Sequence, residues 1–291
     1  VYASALGDFR NWNSFQGLST DSYAAARGSD GAFTGAAACM GGVVFFKEDC
    51  MERVYPAAGG GHQIVTVSCT GVRRGAGGTV AVADGVVYYL GNDGVYAFDG
   101  SMPVCVSRAL GENRYVGGSG GGESGRYWLS ALDAAGNAEL LVYDTRRKMW
   151  HRQDGTEAVG FARKNGSMMV LCRDGRLLDT GGAVGQKEGA FAWSAESGEL
   201  GLYTPEHKYL ARLELRLRPE TGAEVKAYIQ YDGSGVWEQA GSVTGAAGQI
   251  RGAVLHLRPR RCGQLRLKLA GTGGCRVYSA AAVYEKGSDG P

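Results

Sequence analysis

The stretch "DGVVYYLGNDGVYAFDG", residues 84–100, holds three Asp-Gly pairs separated by runs of β-branched and aromatic residues. An Asp-Gly pair supplies the positive φ angles that a two-residue hairpin turn requires. The run Val86-Val87-Tyr88-Tyr89 favours an extended, half-buried strand. The stretch therefore predicts strands joined by tight turns, with Asp93-Gly94 as one such turn and glycine at positive φ.

This pattern recurs along the first two thirds of the chain. The other copies are "GGVVFFKEDCMERVY" (41–55), "SGRYWLSALDAAGNAELLVYD" (124–144) and "NGSMMVLCRDGRLLD" (165–179), the last with a second predicted turn at Asp174-Gly175. The second glycines of the leading pairs stand at 42, 85, 125 and 166, at steps of 43, 40 and 41 residues. A repeat of about 40 residues built from strands is typical of propeller blades. We therefore predict a β-propeller of four blade-like repeats in residues 1–186, with the four pairs at equivalent hairpin positions.

Two further features of this region lead to expectations. Because the chain begins at Val1 without a methionine, we expect a fragment that lacks upstream blades. The run "GGSGGGESG", residues 117–125, precedes a strand and not a helix, so it lacks the helix terminus of a phosphate cradle. We expect it to be a flexible loop.

The pattern changes near residue 186. In "LARLELRLRP", Ala211, Leu213, Leu215 and Leu217 alternate with charged residues, and "AEVKAYIQY" alternates in the same way. Strict two-residue alternation over several strands is typical of antiparallel sheets with one solvated face. Residues 187–291 are therefore predicted to form a C-terminal antiparallel β-sandwich, and the whole chain is predicted to be all-β.

Positive charge is concentrated in the second region. Residues 205–286 hold 13 Lys and Arg against 7 Asp and Glu, a net charge of +6 in a chain whose total is +2. Alternation predicts exposure of five cations that could contact an acidic partner or DNA phosphates: Arg258, Arg260, Arg261, Arg266 and Lys268. They could equally form a solvated face that discourages edge-to-edge aggregation, since no aromatic residue is interleaved with them for stacking on bases.

The sequence offers little catalytic chemistry. Its seven cysteines form no Cys-x-x-Cys pair and its four histidines no metal-binding spacing, so we predict no catalytic residue, no metal site and no cofactor. Reduced cysteines that pack as small hydrophobes indicate synthesis in a reducing cytoplasm. No run of 18 apolar residues is present, which predicts that no helix crosses a membrane.

Two alternative functions stay open. "YDTRRKMWHRQDG" and "YDGSGVWEQAG" place a Tyr-Asp turn before a tryptophan, as kelch repeats and sialidase hairpins do. In such elements the aspartate caps a turn and the tryptophan packs between blades. A sialidase-like glycoside hydrolase would also need three convergent arginines. A carbohydrate-binding protein would use exposed aromatics as sugar platforms, and the candidates are Trp12, Trp128, Trp150, Trp193 and Trp237.

Three segments resemble proteins from the structural-gene blocks of tailed bacteriophages and prophages: "VYASALGDFRNWNSFQG", "VVYYLGNDGVYAFDGSMPVCVSRALG" and "RPRRCGQLRLKLAGTGGCRVYSAAAVYEKGSD". The nearest named group is the phage stabilisation proteins, which join portal and tail and help to retain packaged DNA. The resemblance implies a non-enzymatic virion protein with a propeller followed by a sandwich. It also implies portal, tail or self-assembly partners, with assembly in the bacterial host cytoplasm and no membrane partner. It transfers no catalytic residue.

Overall fold

The computed structural model describes residues 1–18, 20–25, 28–57, 61–111, 115–182, 189–203, 206–245 and 249–287. The chain divides into two compact units, Val1–Gly185 and Gln186–Pro291. The protein is all-β: antiparallel strands make up both units, and within the described ranges the helical segments are two 3-10 turns, Gly77–Thr79 and Arg108–Leu110.

The first unit begins with a small pair of strands, β1 (Tyr2–Ala3) and β2 (Tyr23–Ala24). Four antiparallel sheets follow, each built from strands consecutive in the chain. The first sheet comprises β3 (Gly35–Cys39), β4 (Gly42–Phe46), β5 (Cys50–Pro56) and β6 (His62–Ser68). The second comprises β7 (Ala81–Ala83), β8 (Val86–Leu90), β9 (Val95–Phe98) and β10 (Val104–Cys105). The third comprises β11 (Tyr115–Glu123), β12 (Arg126–Asp133), β13 (Ala138–Asp144) and β14 (Met149–Asp154). The fourth comprises β15 (Ala158–Lys164), β16 (Ser167–Cys172) and β17 (Leu177–Asp179).

A two-residue turn joins the first and second strands of each sheet, with both residues at positive φ in three of the turns and only the glycine in the Ser124-Gly125 turn. The turn residues are Met40-Gly41, Asp84-Gly85, Ser124-Gly125 and Asn165-Gly166. Asp84 and Gly85 have φ of 50° and 80°, and Asn165 and Gly166 have 51° and 84°, as a two-residue hairpin requires. The predicted equivalence of the glycine pairs is confirmed, with one correction. In the first sheet the turn lies one residue earlier than predicted, because Gly42 already belongs to β4.

The two further predicted turns differ from each other. Gly175 has φ 87°, and its N–H donates to the Cys172 carbonyl over 3.0 Å, as a tight turn requires. Gly94 has φ 159°, close to extended backbone. Glycine is needed there for space, because a Cβ would lie 2.6 Å from the Ser107 Oγ.

Aromatic side chains pack the sheets of the first unit against one another. Phe46 of the first sheet contacts Tyr89 of the second, with ring centroids 4.8 Å apart. Tyr88 of the second sheet stacks on Tyr127 of the third at 5.1 Å. Most of these rings are almost completely inaccessible to solvent, so the sheets stack face to face like the blades of a propeller.

Most of the glycine-rich run belongs to β11, the first strand of the third sheet, and the expectation of a flexible loop is wrong. Strand β11 lies between two neighbouring sheets, in contact with β7 on one side and β15 on the other. A Cβ on Gly122 would lie 2.0 Å from the Val82 carbonyl oxygen, and one on Gly121 would lie 2.5 Å from the Phe161 Cβ. Glycine is therefore required at these two positions, because the neighbouring sheets approach too closely for a side chain.

The second unit is a β-sandwich, as predicted. One sheet has the order β18-β24-β20-β21; in the other, β19 pairs with β22 and β23 on one side and with β25 on the other. The strand bounds are β18 (Ala192–Glu196), β19 (Lys208–Pro219), β20 (Glu224–Tyr231), β21 (Glu238–Thr244), β22 (Arg251–His256), β23 (Arg261–Cys262), β24 (Leu265–Thr272) and β25 (Cys275–Lys286).

The predicted alternation forms the core of the sandwich. Leu213, Leu215 and Leu217 of β19 are at most 3% exposed and pack against apolar residues of the opposite sheet. Ala211 is an exception, because the pairing register shifts between Leu210 and Arg212. This irregularity brings Leu210 into the core in place of Ala211.

Candidate partner-contact surfaces

The five predicted cations lie at the end of β22 and along β23 and β24. Arg258 and Arg260 belong to the connection between β22 and β23, Arg261 begins β23, and Arg266 and Lys268 belong to β24. The first three are exposed. The side chains of Arg266 and Lys268 are only 34% and 27% exposed. Alternation therefore predicted the accessibility of three residues and overestimated that of the other two.

Three of the cations have carboxylate partners. The Arg260 guanidinium is 2.5 Å from the Glu238 carboxylate. Arg266 and Lys268 share Glu196 at 3.2 and 3.1 Å, because Glu196 of β18 lies directly opposite Lys268 in the sheet. These pairs reduce the positive field that the sequence count suggests.

Two aromatic rings lie against the same three cations. The Arg260 guanidinium is 5.1 Å from the Tyr231 ring centroid. Arg266 and Lys268 are each 5.5 Å from the centroid of Trp237. The basic stretch itself lacks aromatic residues, but the end of β20 and the connection to β21 supply them. We call Arg260, Arg266 and Lys268, with Tyr231, Trp237, Glu196 and Glu238, the basic-aromatic cluster.

Arg258 and Arg261 differ from the cations of the cluster. Neither forms an ion pair or a side-chain hydrogen bond within the ranges that the structure describes. Both project into solvent from neighbouring positions in the chain. They are the open cations of this surface, available to phosphate or carboxylate groups of a partner.

A second exposed surface lies in the N-terminal segment of the first unit. Six large apolar side chains are between 48% and 79% exposed: Tyr2, Leu6, Phe9, Trp12, Phe15 and Leu18. We call this set the apolar N-terminal surface. Six exposed large apolar residues within eighteen positions of the sequence are more than the single scattered ones that a protein surface normally carries, which favours a contact with another molecule.

Hydrogen bonds order the backbone beneath this surface. The Asp21 carboxylate accepts bonds from the backbone N–H of Leu18 and of Gln16 and from the Ser14 hydroxyl. The backbone bond from Leu18 is the largest contribution that holds the pKa of Asp21 below its ordinary value. Ser22 is buried and donates to the Asn11 carbonyl over 3.0 Å. The apolar side chains therefore project from a locally fixed loop.

A signal for this surface is present in the amino-acid sequence, although exposure was not predicted from it. From Tyr2 to Leu18 the large apolar residues recur at intervals of three or four positions. That spacing is the period of an amphipathic helix and not of a strand, yet the described residues of this segment form no helix. Apolar residues outside any core pattern point to a contact with another molecule.

A buried polar network connects residue 29 to the first sheet. The Lys47 ammonium donates to the Ser29 carbonyl and, over 2.8 Å, to the Ser29 hydroxyl. The same hydroxyl donates to the Glu52 carboxylate over 2.6 Å, and Glu52 also accepts from Thr66 over 2.9 Å. The Lys47 ammonium donates to Ser29, and the Ser29 hydroxyl proton is donated to Glu52. Both buried charges therefore have hydrogen-bond partners.

A cavity of about 590 Å³ in the first unit is lined by charged residues at the ends of β14 and β16. Its cations are already paired, with Arg173 2.5 Å from Glu157 and Arg176 2.7 Å from Asp174. Across the described ranges, no group of three His, Cys, Asp or Glu residues could hold a metal ion. The seven cysteines are free thiols, two of them buried and five partly buried.

The turn-and-tryptophan elements have different roles in the two units. Asp144 accepts the backbone N–H groups of Arg146 and Arg147, and Trp150 donates over 2.8 Å to the Val106 carbonyl beside the second sheet. This element confirms the predicted turn cap and packing between blades. In the second unit, Asp232 accepts from the backbone of Gly263 and Gln264 instead.

The remaining tryptophans divide into structural and accessible groups. Trp128 is 4% exposed and donates to Glu123, and Trp193 donates to the Gly273 carbonyl. Trp12 is 48% exposed and Trp237 is partly exposed. Of the five candidate sugar platforms, Trp12 is the exposed one, Trp128 is buried, and Trp150, Trp193 and Trp237 are partly exposed.

No family model and no curated protein matches the chain. Within the described ranges, the structure has no helix long and apolar enough to cross a membrane. Among solved structures, the chain is similar to an exo-β-1,3-galactanase from Phanerochaete chrysosporium with galactose, at a TM-score of 0.28 and 8% identity over 81% of this chain and 78% of that chain. It is also similar to a structure of infectious bursal disease virus, strain Gx, at a TM-score of 0.23 and 12% identity over 87% of this chain and 66% of that chain. Both TM-scores are too low to carry an argument about fold or function.

Proposed function

We propose that the protein is a non-enzymatic structural component of a phage or prophage particle, in a head-tail connector, tail or DNA-stabilising position. The apolar N-terminal surface is the observation that carries this proposal. Assembly proteins expose apolar side chains that become buried only when the particle forms. The segment that bears this surface is also one of the three that resemble phage structural proteins.

The size of the surface suits a protein partner. Large side chains bury about 150–250 Å² each, so six that are on average two thirds exposed present roughly 800 Å². One partner in a standard protein interface contributes about 800 Å². The surface is therefore large enough for a portal, tail or other structural protein to bind there.

Any contact with DNA would be through phosphates and without base preference. The two open cations, Arg258 and Arg261, could neutralise two phosphates, and each phosphate contributes a slope of about −0.9 to the dependence of log affinity on log salt concentration. Such a contact is weak by itself. It would add to protein contacts within a particle, where DNA is concentrated.

The test uses particles of the phage or prophage that encodes this chain, purified by density gradient and examined by mass spectrometry. We expect the protein to be present in stoichiometric amounts. The double variant Leu6→Gln/Phe9→Gln should fold normally and be lost from particles, because both side chains are over 70% exposed. The matched control is Val104→Gln/Leu177→Gln, since both residues are 62% exposed but lie outside the apolar N-terminal surface.

Absence of the wild-type protein from purified particles would refute the proposed function. Normal incorporation of the Leu6→Gln/Phe9→Gln variant would show instead that the apolar N-terminal surface is not the contact. The two results are distinguishable. The first tests whether the protein belongs to the particle at all, and the second tests only whether the apolar N-terminal surface makes the contact.

One observation favours carbohydrate binding as a second candidate function. Trp237 is partly exposed beside Arg266 and Lys268, which together carry one more charge than their shared partner Glu196 neutralises. Such a site would suit an acidic glycan, with the indole ring against a sugar face. A glycan array probed with the wild type and with Trp237→Ala tests it: binding of acidic glycans that the variant loses would support this function.

A further inference from the structure

Strand β25 is a long sheet edge that no other strand covers in the part of the chain that the structure describes. It runs for twelve residues, about twice the usual strand length, and in the described part of the chain it pairs only with β19. No backbone hydrogen bond to its other edge is present among the described residues. Residues 276–281 are all exposed, including Val277 at 39% and Tyr278 at 44%.

This edge lacks most of the features that prevent strands from pairing between molecules. Proteins usually protect such edges with proline, with charged residues, or by keeping the strand short. Between Arg276 and Glu285 the strand reads "VYSAAAVY", without a proline or a charge. One register shift leaves Tyr278 without a partner on β19, and a second lies opposite Val283 and Tyr284, where Ala211 of β19 has no partner on β25. The unpaired backbone groups are therefore open to another strand.

The sequence of β25 is complementary to itself in the antiparallel direction. The pairing with β19 places Ala281, Val283 and Glu285 on the outer face and Ala280, Ala282 and Tyr284 on the inner face. If two copies meet at Ala281 and Tyr278 stays unpaired, residues of the same face lie opposite each other throughout. Arg276 then lies opposite Glu285 of the second copy, and Val277 lies opposite Tyr284.

We propose that two copies of this chain associate through antiparallel pairing of β25 around a twofold axis at Ala281, which joins their sheets into one. The charge complementarity of Arg276 and Glu285 occurs twice in this arrangement, once at each end. A second copy is favoured over an unrelated strand because one register satisfies both faces and both charges. Dimerisation of this kind does not depend on a role in phage particles.

The contact is large enough to be stable. Twelve residues at about 3.3 Å per residue span about 40 Å, and alternate pairs contribute two hydrogen bonds each, giving about ten backbone hydrogen bonds. A typical protein interface has about ten. Val277 and Tyr278 would also lose part of their exposed surface to the second copy.

Charge reversal tests the pairing directly. Arg276→Glu and Glu285→Arg each place like charges opposite one another at both ends of the dimer, so each variant should weaken dimerisation by about tenfold or more. The two variants mixed in equal amounts should form a heterodimer, because both ends of the mixed pair are again complementary. Sedimentation velocity of the full chain at micromolar concentrations measures all three, with thermal melts to verify that each variant is folded.

Crosslinking gives a second measurement that does not depend on affinity. In Ala281→Cys the two introduced thiols lie opposite each other at the twofold axis, within the distance over which strands form disulfides. Mild oxidation should give a covalent dimer. Its 281–281 disulfide is identified by peptide mass spectrometry, because the seven native cysteines could form other disulfides. Ser242→Cys, exposed on β21 of the opposite sheet, is the matched control and should form none.

Three results would overturn the proposal: a wild-type chain that is monomeric at high micromolar concentration, a dimer unaffected by both charge reversals, or no 281–281 disulfide. A strand from a different protein found on β25 would also contradict it, since the second copy is the proposed occupant.

Discussion

Strand β11 allows a quantitative test of how the blades pack. A methyl group added at Gly122 would lie 2.0 Å from the Val82 carbonyl oxygen, and one at Gly120 would lie 2.2 Å from the Thr79 carbonyl oxygen. Ordinary contact begins at 3.4 Å, so Gly122→Ala requires the two sheets to separate locally by about 1.4 Å. The clash is with backbone on the other side, which cannot rotate away.

The cost follows from two opposing effects. Overpacking by one methyl group costs about 1–3 kcal/mol, and a clash with backbone falls at the upper end. Replacing glycine by alanine also reduces the entropy of the unfolded chain, which contributes about 0.4–1 kcal/mol in the other direction. We therefore expect Gly122→Ala to lower the free energy of unfolding by about 2 kcal/mol, and the melting temperature of a unit of this size by about 4–8 °C.

Gly117→Ala is the matched control on the same strand. A Cβ at Gly117 would meet only the Gly75 carbonyl oxygen, at 3.9 Å. This variant should be neutral or slightly stabilising. Differential scanning calorimetry of the full chain and the two variants measures the difference. Equal melting temperatures for Gly122→Ala and Gly117→Ala would refute the reasoning that close backbone contact explains the glycines of β11.

Two further predictions concern turns of the first unit. Gly175→Val should lower the free energy of unfolding by roughly 1 kcal/mol or more, because a β-branched residue resists the φ of 87°, although a Cβ there would meet open space. Gly160→Val is the control, since Gly160 has neither a close contact nor a positive φ. Equal urea midpoints for the two variants would contradict the turn assignment. The hydrogen bonds from Thr145 and Gly125 hold the pKa of Asp84 below its ordinary value of 3.8, so the ionised group stabilises the fold above that pH and this stabilisation is lost as the pH falls through the lowered pKa. The difference in melting temperature between the wild type and Asp84→Asn should therefore be largest near neutral pH and shrink in acid, and a difference constant with pH would refute this role of Asp84.

The hairpin turns could be predicted because their cause is local. Asp84-Gly85 and Asn165-Gly166 adopt positive φ whatever surrounds them, and their spacing along the chain gave the repeat. Buried alternation in β19 was predictable for the same reason, since the two-residue period of a strand is a property of its own backbone. The register shift at Ala211 could not be predicted, because the register of β19 depends on its pairing with β25.

The glycine-rich strand was mispredicted because its cause is not local. A glycine-rich sequence suggests a flexible backbone, and residues 117–125 contain no β-branched or aromatic side chain that would predict a strand. The reason for those glycines lies in Val82 and Phe161, which belong to the sheets on either side. A composition that favours a flexible loop in isolation is here the condition for close packing of neighbouring sheets.

On the basic surface, too, exposure has a local cause and side-chain contacts come from residues distant in sequence. This difference decides which substitutions can test for partner binding. Alternation predicted that Arg260 would be solvated, but its partners Glu238 and Tyr231 come from positions that the local pattern does not reveal. Reversal of Arg260 would place two carboxylates together and remove a cation from an aromatic ring, so it changes the fold and the surface charge at once. Arg258 and Arg261 carry no such contacts in the described structure. A loss of partner or DNA binding on reversal of these two residues can therefore be attributed to the surface charge itself.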